Sequence, residues 1–322
     1  MNELAIQKLL IGESAAMRQL RARIARVAPS GLPVLIQGPT GSGKELVARA
    51  LHIGSGRAGQ FVPLNLAAIG ESLFESRIFG HMKGAFSGAV ESLTGFLTEA
   101  HGGTGFMDEI GSLPLALQCK LLRALDHGEF RPLGARADQR SDCRFVAATN
   151  ESIRGLVESA RFRRDLAYRL TGVVIDVPAL SRRLDDVPLL VEHFASQCTA
   201  IRGTTLRFSA AAMRVLQAES WPGNVRELKH VVERTALFAN DAMIEAETIR
   251  AMVRETRIVS ADTCDDSDER EVLCRALAAA GWNRTRAARQ LSLHPITVYR
   301  RMKRLGIVPP TELDHDHDRS IP

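Results

Sequence analysis

A glycine-rich segment that ends in lysine constrains the fold of this chain more than any other feature. The segment GPTGSGK at 38–44 follows an apolar, strand-like run at 33–37 and precedes a run with helical periodicity. A strand, this motif and a helix in that order define a P-loop, whose backbone amides surround phosphate groups while the lysine adds positive charge. A glycine-rich turn with a chance lysine is the alternative, and the flanking strand and helix disfavour it. The candidate nucleotide-binding residues of this segment are Gly38, Gly41, Ser42, Gly43, Lys44 and Glu45.

Short apolar runs alternate with helical runs over the first half of the chain. A helical pattern at 17–27 opens this part. The strand candidates lie at 33–37, 61–66, 105–107, 145–148 and 173–177. Strands separated by helical crossovers predict a mostly parallel α/β sheet. From 185 to about 254 the pattern is wholly helical, with a break at 221–224, so we expect a helical subdomain after the sheet.

Two carboxylates, Asp108 and Glu109, close the apolar run at 105–107. Alone, Asp-Glu after a strand is usually only the end of that strand. Beside a P-loop the pair can divide the work of hydrolysis: Asp108 would hold Mg²⁺, and Glu109 would orient and deprotonate the attacking water. The run FVAATN at 145–150 ends in Thr149 and Asn150, two polar residues able to reach a γ-phosphate or its water. Hydrolysis of ATP with Mg²⁺ is therefore the expected chemistry.

Positive charge is concentrated towards the C-terminal end. The chain has a net charge of +5, and the segment 281–306 holds seven basic residues and no acidic one, so the remainder carries −2. Helical patterns at 271–280, 284–291 and 295–305, with a short turn between the last two, predict a helix-turn-helix that binds double-stranded DNA. A basic helical hairpin without a role in DNA binding is the alternative. The candidate DNA-binding residues are Arg284, Arg286, Thr297, Arg300, Arg301 and Arg304.

Other features exclude several classes of protein. No run approaches the roughly 18 consecutive apolar residues of a membrane span, and the N-terminus lacks a signal-peptide core, so we expect a cytoplasmic protein without membrane contact. The five cysteines are widely spaced and form no CxxC pair, which argues against a disulfide framework or a zinc ribbon. The HDHD run at 315–318 indicates a disordered terminus rather than a metal site.

Six motifs, in order along the chain, resemble those of one known family. They are GPTGSGKE at 38–45, FGHMKGAFSGA at 79–89, GGTGFMDEIG at 102–111, FVAATN at 145–150, FRRDLAYRL at 162–170 and WPGNVREL at 221–228. Over about 11–240 and again over 269–307, the chain is similar to the sigma-54-dependent transcriptional activators, the bacterial enhancer-binding proteins of the AAA+ class. The family's own P-loop ends in Lys-Glu, so Glu45 is no departure, although P-loops in general have Ser or Thr there to bind Mg²⁺.

The resemblance implies an order of domains. They would be an AAA+ α/β ATPase subdomain at 1–184, an AAA+ helical lid at 185–258, an acidic linker at 259–268, a Fis-like helix-turn-helix domain at 269–308 and a disordered tail at 309–322. About ten residues precede the Gly-Glu-Ser at 12–14, where the resemblance opens. We therefore expect no N-terminal receiver or sensor domain, and control in trans by a negative regulator, a co-activator protein or the level of expression.

The resemblance also implies roles at the nucleotide. Lys44 would bind phosphate, Asp108 the magnesium, and Glu109 would activate water. Asn65 would restrain that glutamate until the correct nucleotide is bound. Thr149 and Asn150 would form the first sensor, and Arg226 would be the second.

Arg163 and Arg169 would be arginine fingers that complete the site of a neighbouring subunit. This role implies a homo-oligomer, from a dimer to a hexameric ring. A guanidinium supplied in trans is physically sound because it neutralises charge that the transition state spreads over the γ-phosphate. Without the resemblance, both residues would be interpreted as solvated charges on a helix.

The segment GAFSGA is the most specific of the motifs, and it comprises Gly84, Ala85, Phe86, Ser87, Gly88 and Ala89. Small residues let a loop tip move while it exposes one aromatic ring and one hydroxyl. In this family the loop contacts the sigma-54 factor of RNA polymerase and moves with ATP hydrolysis; an ordinary flexible hairpin is the alternative. Ser87 stands where threonine is usual, and Met82 where an acidic residue is common, which bears on the strength of activation.

Three functions fit these features to different degrees. The first is an activator that binds an upstream site on DNA and uses ATP to open promoter complexes of sigma-54 RNA polymerase. The second is a regulator of ordinary promoters whose AAA+ domain serves only oligomerisation, and the nearly intact GAFSGA segment disfavours it. The third is a helicase or nuclease-associated ATPase, and the confinement of basic charge to one small module argues against it.

Overall fold

The computed structural model describes residues 2–202, 206–239, 242–260, 266–280 and 282–291, together with positions 298, 302, 305 and 307. Within these ranges the helices are α1 (Asn2–Leu9), α2 (Ala15–Val27), α3 (Lys44–Ser55), α4 (Phe74–Phe79), α5 (Phe96–Glu99), α6 (Leu115–His127), α7 (Ile153–Glu158), α8 (Arg164–Leu170), α9 (Val187–Arg202), α10 (Ala210–Ala218), α11 (Asn224–Phe238), α12 (Ala246–Ser260), α13 (Asp266–Ala279) and α14 (Arg284–Gln290). The chain divides into two compact units, 1–253 and 254–322.

The strands are short and fall into one large and three small sheets. They are β1 (Val34–Gln37), β2 (Phe61–Asn65), β3 (Gly80–His81), β4 (Leu93–Thr94), β5 (Thr104–Asp108), β6 (Glu129–Phe130), β7 (Gln139–Arg140), β8 (Arg144–Thr149), β9 (Val173–Asp176), β10 (Arg207–Phe208) and β11 (Met243–Ile244). The large sheet has the order β2-β5-β8-β1-β9, and all its pairings are parallel. All five predicted strands are therefore confirmed, as is the α/β class.

Helices cover both faces of the large sheet because alternate strand residues point to opposite sides. Val34 and Ile36 face the side packed by α1, α2 and α3, whereas Leu35 faces the side packed by α6 and α8. The predicted helix at 17–27 is α2, whose four periodic apolar residues are all buried. Gly105 in β5 is required by packing, since a Cβ there would lie 2.7 Å from the Phe96 ring and 2.8 Å from the Cys143 sulfur.

The part of the first unit after 185 is helical, but not wholly so as the sequence pattern suggested. Strands β10 and β11 form a two-residue parallel pair between its helices. A pair this short shows no periodicity of its own in the sequence. Helices α9, α10, α11 and α12 contribute to one apolar core, in which Trp221 is 1% exposed. The predicted break at 221–224 is present, because α10 ends at Ala218 and α11 begins at Asn224.

The second unit has its own small apolar core, to which Leu277, Ala287 and Val298 contribute. Helix α14 begins where the basic pattern predicted, and the Asn283 side chain caps it by accepting hydrogen bonds from the backbone amides of Thr285 and Arg286. Most of the third predicted helix and the whole tail lie outside the described residues. In the part of the chain that the structure describes, no helix is both long and apolar enough to cross a bilayer.

Candidate active site

The P-loop connects the carboxyl end of β1 to α3 and lies largely buried. Lys44 is only 6% exposed, and its Nζ donates to the carbonyl oxygen of Gly38 at 3.0 Å. Ser42 is 3% exposed, and its Oγ has no hydrogen-bond partner among the described residues. A buried hydroxyl without a partner costs free energy, so its retention beside a phosphate-binding loop favours a ligand that bonds to it. Glu45 instead lies on the exposed side of α3, in an ion pair with Arg49.

The predicted carboxylate pair lies at the carboxyl end of β5, close to the P-loop lysine. Glu109 Oε1 is 3.8 Å from Lys44 Nζ, and Asp108 Oδ1 accepts a hydrogen bond from the Glu109 amide. Glu109 has a backbone φ of 54°, a left-handed conformation that is strained for a residue with a side chain. Burial raises the pKa of the Glu109 carboxyl, Lys44 opposes that shift, and the charge of Asp108 adds to it.

The neighbouring strand ends bring three further predicted residues to the same edge of the sheet. Asn65 is the register partner of Asp108, and its Oδ1 accepts from the amide of Ala67. No hydrogen bond joins Asn65 to Glu109 in the described ranges, so the proposed restraint stays a prediction. Thr149 is buried at the end of β8 and bonds to the backbone of the next turn. Asn150 Nδ2 donates to the hydroxyl of Thr40 in the P-loop at 3.3 Å.

The start of α11 and the turn before α9 contact the P-loop backbone. Asn224 Nδ2 donates to the carbonyl oxygen of Thr40 at 3.0 Å. The amide of Arg226 donates to the Gly41 carbonyl at 3.2 Å, and the Arg226 side chain is exposed. Arg183 is 4% exposed, and its Nη2 donates to the Ser42 carbonyl at 3.0 Å. The sequence predicted a nucleotide contact for Arg226 but singled out neither Asn224 nor Arg183.

A cavity of about 340 Å³ adjoins the P-loop between α1, α3 and α9. Its lining is mostly apolar, and includes Leu10, Ile11, Leu46, Phe194 and Val225. Apolar walls beside a phosphate cradle suit the base and sugar of a nucleotide. The sequence indicated the cradle but not this cavity, because its walls come from segments far apart in the chain.

The two predicted arginine fingers are exposed on the surface around α8, and each is paired with a carboxylate of its own chain. Arg163 forms a two-point ion pair with Asp165, and Arg169 Nε lies 2.6 Å from Asp126 Oδ1. The side chains of Arg163 and Arg169 are 43% and 51% exposed. Among the described residues, neither arginine contacts the P-loop of the same chain. The backbone near Arg163 is fixed by the buried Gln118, whose Oε1 accepts from the Arg163 amide.

The GAFSGA segment forms the loop between β3 and β4, and it closes largely on itself. The Gly84 amide donates to the Ala89 carbonyl at 2.9 Å, and Ala89 is buried while Ser87 is exposed. The Phe86 ring is 41% exposed and meets the His81 ring edge-on, with centroids 5.0 Å apart. His81 Nδ1 is in turn 2.7 Å from the Ser76 hydroxyl on α4. His81, like Asn224 and Arg183, was not singled out from the sequence.

Two of the predicted DNA contacts lie in the described part of the second unit. Arg284 is the first residue of α14, and Arg286, the third, is exposed in the first turn of that helix. Thr297, Arg300, Arg301 and Arg304 lie outside the described residues, so their candidacy stays a prediction.

Comparison with known families matches three parts of the chain between residues 10 and 305. Residues 10–176 match the Sigma-54 interaction domain, 181–264 the AAA+ ATPase lid domain, and 268–305 the family of bacterial regulatory proteins described as the Fis family. The transcriptional regulatory protein ZraR of Escherichia coli O157:H7 is 41% identical over 305 residues, which cover 92% of this chain and 68% of ZraR. The DNA-binding transcriptional regulator NtrC of Azospirillum brasilense is 46% identical, over 77% of this chain and 52% of that protein. This chain thus spans roughly half to two thirds of these relatives' length.

Solved structures agree with these matches. NtrX from Brucella abortus in complex with ADP is 35% identical with a TM-score of 0.71, covering 95% of this chain and 71% of that chain. Its complex with ATP is 37% identical with a TM-score of 0.69, covering 92% of this chain and 69% of NtrX. RuvB of Thermotoga maritima, at 15% identity and a TM-score of 0.53, shares the fold alone. On these matches, the chain belongs to the sigma-54-dependent transcriptional activators, AAA+ ATPases with a Fis-type helix-turn-helix that binds DNA.

Proposed function

We propose that this activator binds an upstream DNA site and uses ATP hydrolysis in an oligomeric ring to convert closed complexes of sigma-54 RNA polymerase into open ones. The observation that carries the proposal is the position of Glu109 at the end of β5, with its carboxylate 3.8 Å from the P-loop lysine. A base at that position is within reach of a water that attacks a phosphate held by the loop.

Hydrolysis divides between the two carboxylates and the lysine. Lys44, almost fully buried, binds the β- and γ-phosphates as a point charge. Glu109 orients the water and takes its proton, a task favoured by burial, which raises the pKa of the carboxyl and strengthens it as a base. Thr149 and Asn150 report on the γ-phosphate from the end of β8, and the apolar cavity beside α3 accommodates the adenosine. Mg²⁺ suits this site because Asp108 presents a carboxylate next to the phosphate cradle; when bound, it neutralises phosphate charge.

Arg163 and Arg169 serve a neighbouring subunit. Both guanidiniums are exposed and satisfied by carboxylates that can be exchanged for phosphate oxygens. A site that needs an arginine from another copy is complete only in the oligomer, which makes hydrolysis depend on ring assembly. Mixing an Arg169→Ala chain, which retains its own P-loop, with a Lys44→Ala chain should therefore restore part of the activity that each lacks alone.

Phe86 and Ser87 at the tip of the GAFSGA loop engage the sigma-54 factor, and the helix-turn-helix holds the ring near the promoter. The test is transcription in vitro from a sigma-54 promoter with purified protein, sigma-54 holoenzyme and ATP, scored as heparin-resistant open complexes. We expect open complexes with the wild-type chain and none with Lys44→Ala or with a non-hydrolysable ATP analogue. A wild-type chain that hydrolyses ATP but opens no complex would sink the proposal.

The second candidate is a regulator of ordinary promoters whose AAA+ domain serves only oligomerisation. The two substitutions at the loop, Ser87 for threonine and Met82 for an acidic residue, are the observation in its favour. It predicts regulation that persists in Lys44→Ala and in Phe86→Ala chains. Restoration of stronger opening by Ser87→Thr would instead show that the loop still engages sigma-54.

A further inference from the structure

Three consecutive carbonyl groups of the P-loop are each held by a donor from outside the loop. Thr40 accepts from the Asn224 side chain, Gly41 from the Arg226 amide, and Ser42 from the Arg183 guanidinium, at 3.0, 3.2 and 3.0 Å. Two of these donors belong to the first turn of α11, and the third lies in the turn that leads into α9. All three carbonyls are therefore hydrogen-bonded to residues that follow 180 in the first unit.

Peptide planarity turns these contacts into a constraint on the phosphate-binding amides. In a trans peptide, the carbonyl of one residue and the amide of the next point in opposite directions. The Thr40 carbonyl points towards α11, so the Gly41 amide in the same peptide plane points away from α11. In the same way, the Ser42 carbonyl points towards Arg183, and the Gly43 amide points away from it. In the described ranges, the amides of Gly41 and Gly43 have no protein acceptor, whereas the Ser42 amide donates to Pro39 within the loop. The outside donors thus keep two amides available for an anion.

Asn224 is the best placed of the three donors. It is 3% exposed, and both ends of its amide are used, since Oδ1 accepts from the backbone amide of Leu180 at 2.9 Å. Its backbone φ of 54° is left-handed, a conformation that asparagine tolerates better than most residues. One side chain thereby joins the P-loop, the turn at 180 and the start of α11.

Arg183 supplies the second side-chain contact, although the burial of its charge is unfavourable. Burial lowers the pKa of its guanidinium, Asp186 opposes that shift, and its Nε has no hydrogen-bond partner among the described residues. Asp186 is itself held by the backbone amides of Glu13 and Ser14, ahead of α2. A buried cation that lacks one partner is sensitive to small movements of the group it does bond, here the Ser42 carbonyl.

We propose that Asn224 is a positioning residue of the ATPase site, which fixes the P-loop amides for phosphate and transmits nucleotide binding to the predicted lid. This inference rests on the proposed ATPase. Phosphate bound to the pre-oriented amides of Gly41 and Gly43 adjusts their peptide planes slightly. The carbonyls of Thr40 and Ser42 belong to these planes, so their donors Asn224 and Arg183 move with them. The lid therefore responds to the state of the P-loop through three hydrogen bonds, beside the contacts that the cavity walls on α9 and α11 make with the nucleotide.

Trp221, three residues before Asn224 and almost fully buried, provides a direct optical test. The chain has two tryptophans, so Trp282→Phe leaves Trp221 as the sole emitter. In that background we expect saturating ATP to change the Trp221 emission. Asn224→Asp keeps the size and the acceptor but places a carboxylate against the Thr40 carbonyl. It should weaken ATP binding at least tenfold and abolish the emission change even when ATP is saturating.

A second variant and a control separate this role from general loss of stability. Asn224→Gly accepts the same backbone and removes the side-chain hydrogen bonds to Thr40, Leu180 and Pro222 without adding charge. We therefore expect a roughly threefold loss of ATP affinity and no change in Trp221 emission when ATP is added. Ser209→Ala removes the cap of α10 in the lid, where Ser209 Oγ accepts from the Ala212 amide, and touches no part of the P-loop. It should keep the ATP affinity and the emission change of the wild type.

The outcomes distinguish the inference from the function on which it rests. Wild-type ATP affinity and emission in Asn224→Asp would overturn the positioning role, and so would an equal loss in Ser209→Ala. A parent chain whose Trp221 emission ignores saturating ATP, although it hydrolyses ATP, would overturn the transmission to the lid alone. A parent chain that neither binds nor hydrolyses ATP would overturn the proposed function as well.

Discussion

The P-loop and the GAFSGA loop are both rich in small residues, but the rest of the molecule holds them in opposite ways. In the P-loop, Ser42 and Lys44 are at most 6% exposed, and three successive carbonyls bond to other segments. The GAFSGA loop bonds mainly to itself, and its Phe86 ring is 41% exposed. Chemistry at a phosphate needs groups fixed in advance, whereas a loop that acts on a partner needs positions that differ little in free energy. Two loops of similar composition thus serve different purposes. The number of hydrogen bonds from outside the loop distinguishes them.

Removal of the Glu109 carboxylate, the catalytic base, should have the largest effect. It should leave the conformations of the P-loop and the GAFSGA loop unchanged. We expect Glu109→Gln to lower the kcat for ATP hydrolysis by about 10²–10⁴-fold, because general-base catalysis contributes that much. ATP affinity should stay near that of the wild type, since Lys44 and the P-loop amides are intact. Phosphate release and nucleotide titration measure the two quantities. Glu158→Gln, on the exposed face of α7 in an ion pair with Arg154, is the matched control.

One substitution made in both loops tests the comparison directly. Gly41 and Gly84 have nearly equal left-handed φ angles, +75° and +78°. A Cβ at Gly41 would collide with the carbonyl oxygen of Gly223, whereas a Cβ at Gly84 meets nothing within 4 Å. We expect Gly84→Ala to lower the free energy of unfolding by only about 1–2 kcal/mol, the cost of the left-handed backbone. ATP hydrolysis should be unchanged in that variant.

Gly41→Ala should add the collision to the same backbone cost and separate the P-loop from α11. We expect at least a tenfold loss of ATP affinity and a larger fall in the free energy of unfolding than for Gly84→Ala. Chemical denaturation and nucleotide titration of both variants measure the difference. Equal losses in the two variants would contradict the claim that outside contacts distinguish the loops.

The pH dependence of hydrolysis tests the role of Glu109 as the base beside the P-loop. Glu109 accepts a proton only when it is ionised, so activity is present above its pKa and is lost as the pH falls through it. Burial raises this pKa, with Lys44 opposing the shift, so the acid loss should begin at a higher pH than for an exposed glutamate. Below that point kcat/KM, which reports the free enzyme, should fall about tenfold per pH unit. A profile of kcat/KM against pH that stays flat down to the range of ordinary carboxylates would exclude this assignment.

Features that depend on the local sequence pattern could be predicted. Contacts that depend on where a side chain lies in the folded chain could not. Five strands and the P-loop follow from apolar runs and glycine spacing, and parallel strands necessarily bring Asp108 and Thr149 to one edge. The pair of β10 and β11 was missed because two residues carry no period. Asn224 stood in a recognised motif, but only the folded chain shows that its amide spans the Thr40 carbonyl and the Leu180 amide.

Removal of the contact between His81 and Phe86 should have the smallest effect of these changes. The contact belongs to the GAFSGA loop, which is held more weakly than the P-loop. His81 bonds to Ser76 on α4 and presents its ring to Phe86 at 5.0 Å, so it links the loop to the sheet domain. An aromatic pair of this kind is worth about 0.5–1.5 kcal/mol, which corresponds to a roughly two- to twelvefold shift in the population of a released loop.

We therefore expect His81→Ala to leave ATP hydrolysis unchanged and to raise nucleotide-free binding to sigma-54 by a few fold. The binding is measured with purified sigma-54 and no ATP, and the hydrolysis by phosphate release. Ser76→Ala, which keeps the His81 ring but removes its hydrogen bond, should give a smaller increase in the same direction. If both variants bind sigma-54 as the wild type does, then the Phe86 ring is not restrained by His81. The loop would then be held by its own backbone hydrogen bonds alone, which would make the contrast with the P-loop stronger still.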